Sequence, residues 1–179
     1  MSYDWYLFRP TPGKDPLAEI QERLAKEEET LAAGEAVDNS GPPREETERL
    51  KRRLVGALQA RNPRLEPSEF ERGIELTDET TGMQITLCDD RADITVPYWH
   101  DGDEAKRAMD EVRDFIEILF REAGYVAYDP QLGRIVNPER DLGEAIPGYE
   151  RIVRDLPRLT EDATHGTRPL EARPWWRFW

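Results

Sequence analysis

The sequence predicts an α+β domain, an antiparallel sheet of about four to six strands with helices packed on one face, followed by an irregular C-terminal tail. Three observations predict it. Met83, Ile85 and Leu87 alternate with Gln84, Thr86 and Cys88, and Ile94 and Val96 alternate with Asp93 and Thr95, which is the period of strands that bury one face. Apolar residues recur at helical spacing in three other stretches. Proline, glycine and Asx clusters separate these runs. The expected order is β-α-α-β-β-β-α-β-β across residues 1–136, with residues 137–179 as an extended, proline-rich tail.

Residues 3–9 are dense in aromatics and stop at Arg9-Pro10, so they read as a strand inside the sheet with both faces covered. Asp15-Pro16 has the N-cap and first-turn chemistry of a helix whose stripe is Leu17, Ile20, Leu24 and Leu31, ending at Gly34. Residues 35–43 are a linker. A second helix runs through Leu50, Leu54, Val55 and Leu58 to Asn62-Pro63. Phe70, Ile74 and Leu76 lead into the alternating strands, and Asp89-Asp90 marks a tight hairpin turn between them.

The third helix, residues 103–123, places Ala105, Ala108, Met109, Val112, Phe115, Ile116, Leu119, Phe120 and Ala123 on one broad face, with Gly124 suited to its C′ position. Asp101 and Glu104 resemble a capping box at its start. Tyr125 to Asp129 and Arg134 to Val136 are the last two strands, and one short helix is expected near 148–156.

Composition narrows the function classes. At 179 residues the chain is one domain's worth, enough to bury roughly 70% of its unfolded surface. Its net charge is −13, and residues 150–179 hold six arginines against five acids, so residues 1–149 carry −14. A negative field repels nucleic acid and anionic membranes, and it recruits a basic protein partner. Cys88 is the single cysteine, so it forms no disulfide or thiolate zinc site within one chain and reads as a small core residue. No basic leader or apolar span of about 18 residues is present, and a cytoplasmic location is the expectation.

Few side chains nominate chemistry. Trp99-His100-Asp101-Gly102-Asp103 follows a strand and could set an imidazole beside two carboxylates as a general base or cation site; equally, Asp101 and Asp103 are the acids that helix starts attract. Asp129 and Gln131 stand at a strand end, where Asp-Pro also simply starts a turn. Asp89-Asp90, with Asp78 and Glu79, reads as turn chemistry. No glycine-rich phosphate loop, cofactor motif, metal-ligand spacing or nucleophilic triad stands out, His100 and His165 being the only histidines. The catalytic candidates are therefore His100, Asp101, Asp103 and Asp129.

The tail offers a second kind of site. Trp175, Trp176, Arg177, Phe178 and Trp179 carry three of the five tryptophans. They either close a groove on their own domain, form a handle for a partner, because Trp and Arg are enriched at interface hot spots, or anchor at a membrane interface, which the acidic body and the lone nearby Arg disfavour.

Met1-Ser2-Tyr3-Asp4-Trp5-Tyr6-Leu7-Phe8, with Gly124-Tyr125-Val126-Ala127-Tyr128-Asp129-Pro130-Gln131, resembles a group of uncharacterised bacterial proteins. These begin with a Met-Ser-Tyr-Asp-aromatic strand and carry Val-x-Tyr-Asp-Pro-Gln after a central helix, and some look like immunity or accessory proteins of toxin systems. The likeness spans residues 1 to 136. Trp5 replaces a usually small or aliphatic residue, and the helices at 15–61 are not part of the pattern. The resemblance carries over no catalytic residue. Taken together, these readings point to a noncatalytic acidic protein-binding module of the immunity or accessory type. A small carboxylate enzyme and self-assembly through the aromatic tail stand as the alternatives.

Overall fold

A computed structural model describes residues 2–33, 45–71 and 73–137, together with 147, 149 and 151. The strands are β1 (Ser2–Phe8), β2 (Glu66–Phe70), β3 (Gly73–Asp78), β4 (Met83–Leu87), β5 (Arg91–Pro97), β6 (Val126–Asp129) and β7 (Arg134–Val136). The helices are α1 (Pro16–Ala32), α2 (Glu45–Arg61) and α3 (Gly102–Ala123). All seven strands join one sheet in the order β2-β3-β4-β5-β1-β6-β7, each neighbouring pair antiparallel. The α+β class and antiparallel sheet are as the patterning predicts, with one strand more than the expected order. That strand, β2, is exposed at all five positions and contains Pro67, so it shows no alternation to read. Its place at the sheet edge is where a residue without an N–H is tolerated.

β1 is first in the chain but interior in the sheet. Leu7 lies opposite Ala92 of β5 on one side and Ala127 of β6 on the other. Because strand side chains alternate, β1 feeds two cores. Tyr3, Trp5 and Leu7 are fully buried with Leu76, Met83, Ile85, Leu87, Ile94 and Val96 beneath α2 and α3. Helix α3 contributes Ala105, Ala108, Met109, Val112, Phe115, Ile116 and Leu119, while α2 contributes Leu54 and Leu58. Each fully buried large side chain contributes roughly 1.5–3 kcal/mol.

The alternate residues of β1 face the other way. Phe8 is buried with Tyr128 and Ile20, and Tyr6, Leu17, Leu24, Val126 and Ile135 pack around them. Helix α1 therefore lies on the face opposite α2 and α3, so the single helical layer expected from the patterning holds only for the latter two. The stripe on α1 is the cover that Phe8 and Tyr128 require.

Local chemistry explains the helix ends. The Asp15 carboxylate accepts from the Ala18 N–H at 3.0 Å, with Pro16 in the first turn. Asp101 makes no side-chain cap bond to α3, so the expected capping box is absent and the Asp101 backbone carbonyl alone receives Glu104 N–H at 3.0 Å. At the other end Gly124 takes φ +68° and donates to the Phe120 carbonyl at 2.7 Å. Arg9 Nε adds a 2.9 Å bond to the Ala123 carbonyl, and Arg53 donates to that of Glu122.

The Asp89-Asp90 hairpin turn is where expected, closed by Cys88 N–H to the Arg91 carbonyl at 2.8 Å. Asp89 also bonds the buried Lys51 of α2 at 3.0 Å, which Glu48 approaches at 2.6 Å. Burial opposes the Lys51 charge, but the two carboxylates outweigh it and hold its pKa above the ordinary value. Cys88 is half-buried rather than a core residue, and burial raises its thiol. The linker at 35–43, most of the helix expected at 148–156 and the aromatic terminus Trp175, Trp176, Arg177, Phe178 and Trp179 lie outside the described residues.

Candidate functional site

One corner of the sheet gathers the first sequence candidates. It is made by the β3–β4 hairpin and the β5–α3 connection. Asp78, fully buried at the end of β3, accepts bonds from the Thr80 N–H at 2.9 Å, Asn62 Nδ2 at 3.0 Å and Arg64 Nε at 2.9 Å. The Gly82 N–H returns to the Asp78 carbonyl at 2.7 Å, with Gly82 at φ +68°, so the hairpin is fixed from both sides.

The connection after β5 is pinned to that hairpin. His100 is buried, and its Nε2 lies 2.8 Å from the Thr81 carbonyl. A carbonyl only accepts, so Nε2 carries a proton and donates it. The His100 N–H donates to the Tyr149 hydroxyl at 3.3 Å, and that hydroxyl donates to the Pro97 carbonyl. Burial pushes the Tyr149 hydroxyl up to about 12, so it stays a donor at neutral pH. Tyr3, Tyr98 and Tyr149 stack around this point, with ring centroids of Tyr98 and Tyr149 5.4 Å apart.

Between the two pinned segments stands Trp99, 67% exposed. A Cβ on Gly82 would collide with the indole and crowd Pro97, so the ring rests directly on the Gly82 backbone. The flanking segments, residues 79–82 and 98–105, contain no Lys or Arg and four exposed acids, Glu79, Asp101, Asp103 and Glu104. Among the described residues, the side chains of Glu79, Asp101 and Asp103 make no hydrogen bond or ion pair, whereas that of Glu104 only approaches Arg107 at 4.0 Å. The corner carries an exposed indole on an anchored backbone, on segments whose Glu79, Asp101 and Asp103 carboxylates are exposed.

The catalytic candidates do not converge here. His100 spends its Nε2 on Thr81, and no hydrogen bond or ion pair joins its side chain to Asp101, Asp103 or Asp129. Asp129 is fully buried on the far side of the tyrosines, accepting from the Tyr3 hydroxyl at 2.7 Å and from the N–H groups of Gln131 at 2.8 Å and Leu132 at 3.0 Å. Burial raises its pKa against these bonds. It latches the β6–β7 turn to β1. Among the described residues no three His, Cys, Asp or Glu side chains are grouped to hold a metal.

A cavity of about 760 Å³ opens elsewhere, beside α2 and the β4–β5 turn, and none of the four candidates lines it. Its arginines have structural duties. Arg9 and Arg53 close the end of α3, Arg49 pairs with Glu45 at 3.2 Å, and Arg23 pairs with Glu19 at 2.8 Å while stacking 5.3 Å over Phe8.

Sequence reasoning singled out the Trp99–Asp103 segment for its imidazole and missed the indole. The available signal was a tryptophan between Pro97-Tyr98 and an acidic helix start, outside either periodic stripe.

Fold and corner together define an α+β protein with a seven-stranded antiparallel sheet that presents a fixed aromatic and acidic surface. Compared with protein-family models, curated proteins and solved structures, the chain matches none. No helix among the described residues is long and apolar enough to cross a membrane.

Proposed function

We propose that this protein is a noncatalytic acidic binding module for a basic protein, gripped at the Trp99 corner. The observation that carries the reading is that Trp99 is 67% exposed while the backbone beneath it is fixed. A tryptophan already held in place loses little freedom on binding, and Trp is the residue most concentrated at interface hot spots. The indole face accepts a lysine or arginine side chain, a contact of roughly 0.5–2 kcal/mol depending on desolvation. Glu79, Asp101 and Asp103, exposed on the same two segments, add negative charge that favours such a cation, and the −13 chain speeds the encounter. Because some members of the bacterial group that residues 1–136 resemble look immunity-like, we extend the proposal to a narrower role, in which the basic partner is a toxin of the producing cell.

The test compares wild type, Trp99→Ala and a Glu79→Lys/Asp101→Lys variant as baits in the native lysate, at about 50 and about 200 mM salt, a range over which exposed charges become largely screened. A basic protein retained by wild type, weakened by salt and lost from both variants supports the module and its corner. The same protein retained equally by all three moves the contact elsewhere, and no salt-sensitive ligand for any bait removes the reading.

A further inference from the structure

Asp93 occupies a polar position in the alternation of β5, which the sequence assigns to solvent. It is instead 5% exposed, and neither carboxylate oxygen has a hydrogen bond. A buried, unsatisfied carboxylate requires an explanation. Its surroundings supply one cation. Arg91 Nε stands 3.5 Å from Asp93 Oδ2 without a hydrogen bond, while Arg91 Nη1 donates to Glu27 of α1 at 2.8 Å. The other groups facing Asp93 are Asp4 of β1 and Asp90 of the turn, both acids, with the Tyr6 hydroxyl of β1 and the Cys88 thiol close by. One guanidinium is thus shared by two carboxylates on different elements; of these two only Glu27 is hydrogen-bonded to it, and the Cys88 sulfur bonds it as well.

The two claims on Arg91 are unequal. The Glu27 and Arg91 side chains are 35% and 32% exposed, so water compensates Glu27 when it is released. Asp93, 6% exposed at its side chain, has no such compensation once ionised. Burial pushes the Asp93 carboxyl up to about 7, against the pull of Arg91 and with the push of Glu27 and Asp4, so the protonated form is accessible near neutrality.

We propose that Arg91 is a two-position latch: it holds Glu27, and with it the C-terminal half of α1, against the sheet while Asp93 is protonated, and it turns to Asp93 when that proton leaves. Only side-chain rotation of Arg91 is needed, since both acceptors already lie within 3.5 Å of its guanidinium. Proton occupancy at one sheet position then sets how firmly α1 is docked.

The experiment follows two signals in the full chain between about pH 5 and about pH 9, the Asp93 carboxyl resonance and amide exchange along α1 corrected for the intrinsic effect of pH. In wild type the residues around Glu27 lose protection by roughly fivefold, the scale of a partly exposed ion pair, with the midpoint at which Asp93 titrates. Asp93→Asn keeps α1 protected throughout, and Glu27→Gln shows weaker protection independent of pH. An Asp93 that titrates in the ordinary carboxylate range overturns the latch. So does an α1 transition that survives in Asp93→Asn. The wild-type comparison of the two midpoints stands on its own if a variant fails to fold.

Discussion

The Tyr3 hydroxyl donates a 2.7 Å hydrogen bond to the fully buried carboxylate of Asp129, joining positions 126 residues apart in the chain. The bond binds the first strand to the turn that follows β6. Asp129 Oδ1 takes the Gln131 and Leu132 amides, so Tyr3 is the donor on Oδ2. Tyr3→Phe keeps the ring and leaves that oxygen unsatisfied. It should lower stability in urea by about 1–3 kcal/mol, the cost of stranding a buried acceptor. An unchanged urea midpoint would mean that water or another donor replaces the hydroxyl.

Asp78 predicts acid sensitivity at the opposite end of the sheet. Burial alone would raise its pKa, but the bonds from Arg64, Asn62 and the Thr80 amide outweigh burial and hold it at about 2. A carboxyl held below its unfolded value adds stability at higher pH, and that contribution is lost as pH falls from about 4 through about 2. Arg64 is 57% exposed, so solvent screens part of the pairing. Asp78→Asn should therefore cost roughly 1–2 kcal/mol at pH 7 and much less near pH 2, as read from urea midpoints at both values.

Gly82→Ala tests what supports Trp99. The substitution places an alanine at φ +68°, a cost of about 1–2 kcal/mol for a non-glycine residue. It also drives a methyl into the indole. In the background of Trp99→Ala only the backbone cost should remain, so Gly82→Ala should be milder there than in wild type. Trp99→Ala alone should change stability by no more than about 0.5 kcal/mol, as expected of an exposed side chain. Identical effects of Gly82→Ala in both backgrounds would show that the ring does not rest on the glycine.

Asp93→Asn should stabilise the protein in a pH-dependent way. With the folded carboxyl raised to about 7, wild type has no ionisation penalty below the unfolded value. The penalty then grows by about 1.4 kcal/mol per pH unit until the folded value is passed. The asparagine variant has no such term, so its advantage should be larger at pH 8 than at pH 4. An advantage that is flat with pH would show that Asp93 titrates alike in the folded and unfolded chains.

The sheet and its main core were legible because their signals are periodic. Met83 to Val96 alternates as strands with one apolar face do, although Thr86 and Asp93 at its polar positions are buried too, and the face of α3 from Ala105 to Ala123 is buried as its spacing requires except at Phe120, which is 59% exposed. Asp15, Gly124 and Asp89-Asp90 do the work that turn and cap chemistry assigns them. What escaped depends on partners distant in sequence. The side on which α1 lies is decided by Phe8 and Tyr128, and periodicity says nothing about which face of a sheet a helix will choose. β2 has no buried face at all.

The candidate site was legible only as an address. Residues 99–103 do lie at a corner, but the imidazole that drew attention is committed to the Thr81 carbonyl, and the exposed group is the neighbouring indole. Asp129 looked like a strand-end binding residue and serves as a latch. Asp93 sits at a polar position in a correct alternation and is nonetheless buried, because Arg91 and α1 close over that face.

The interior position of β1 bears on how the protein is made. Its neighbours are β5, which ends at Pro97, and β6, which ends at Asp129, so a growing chain holds Trp5, Tyr6, Leu7 and Phe8 without either flanking strand while most of the domain is still being synthesised. Strand pairing across such separations is slow, and an unpaired aromatic strand invites association with other nascent chains in the meantime. This strand leaves the ribosome ahead of both its partners and is among the last to find its place, which makes the interval before residue 129 emerges the period in which a chaperone has most to protect.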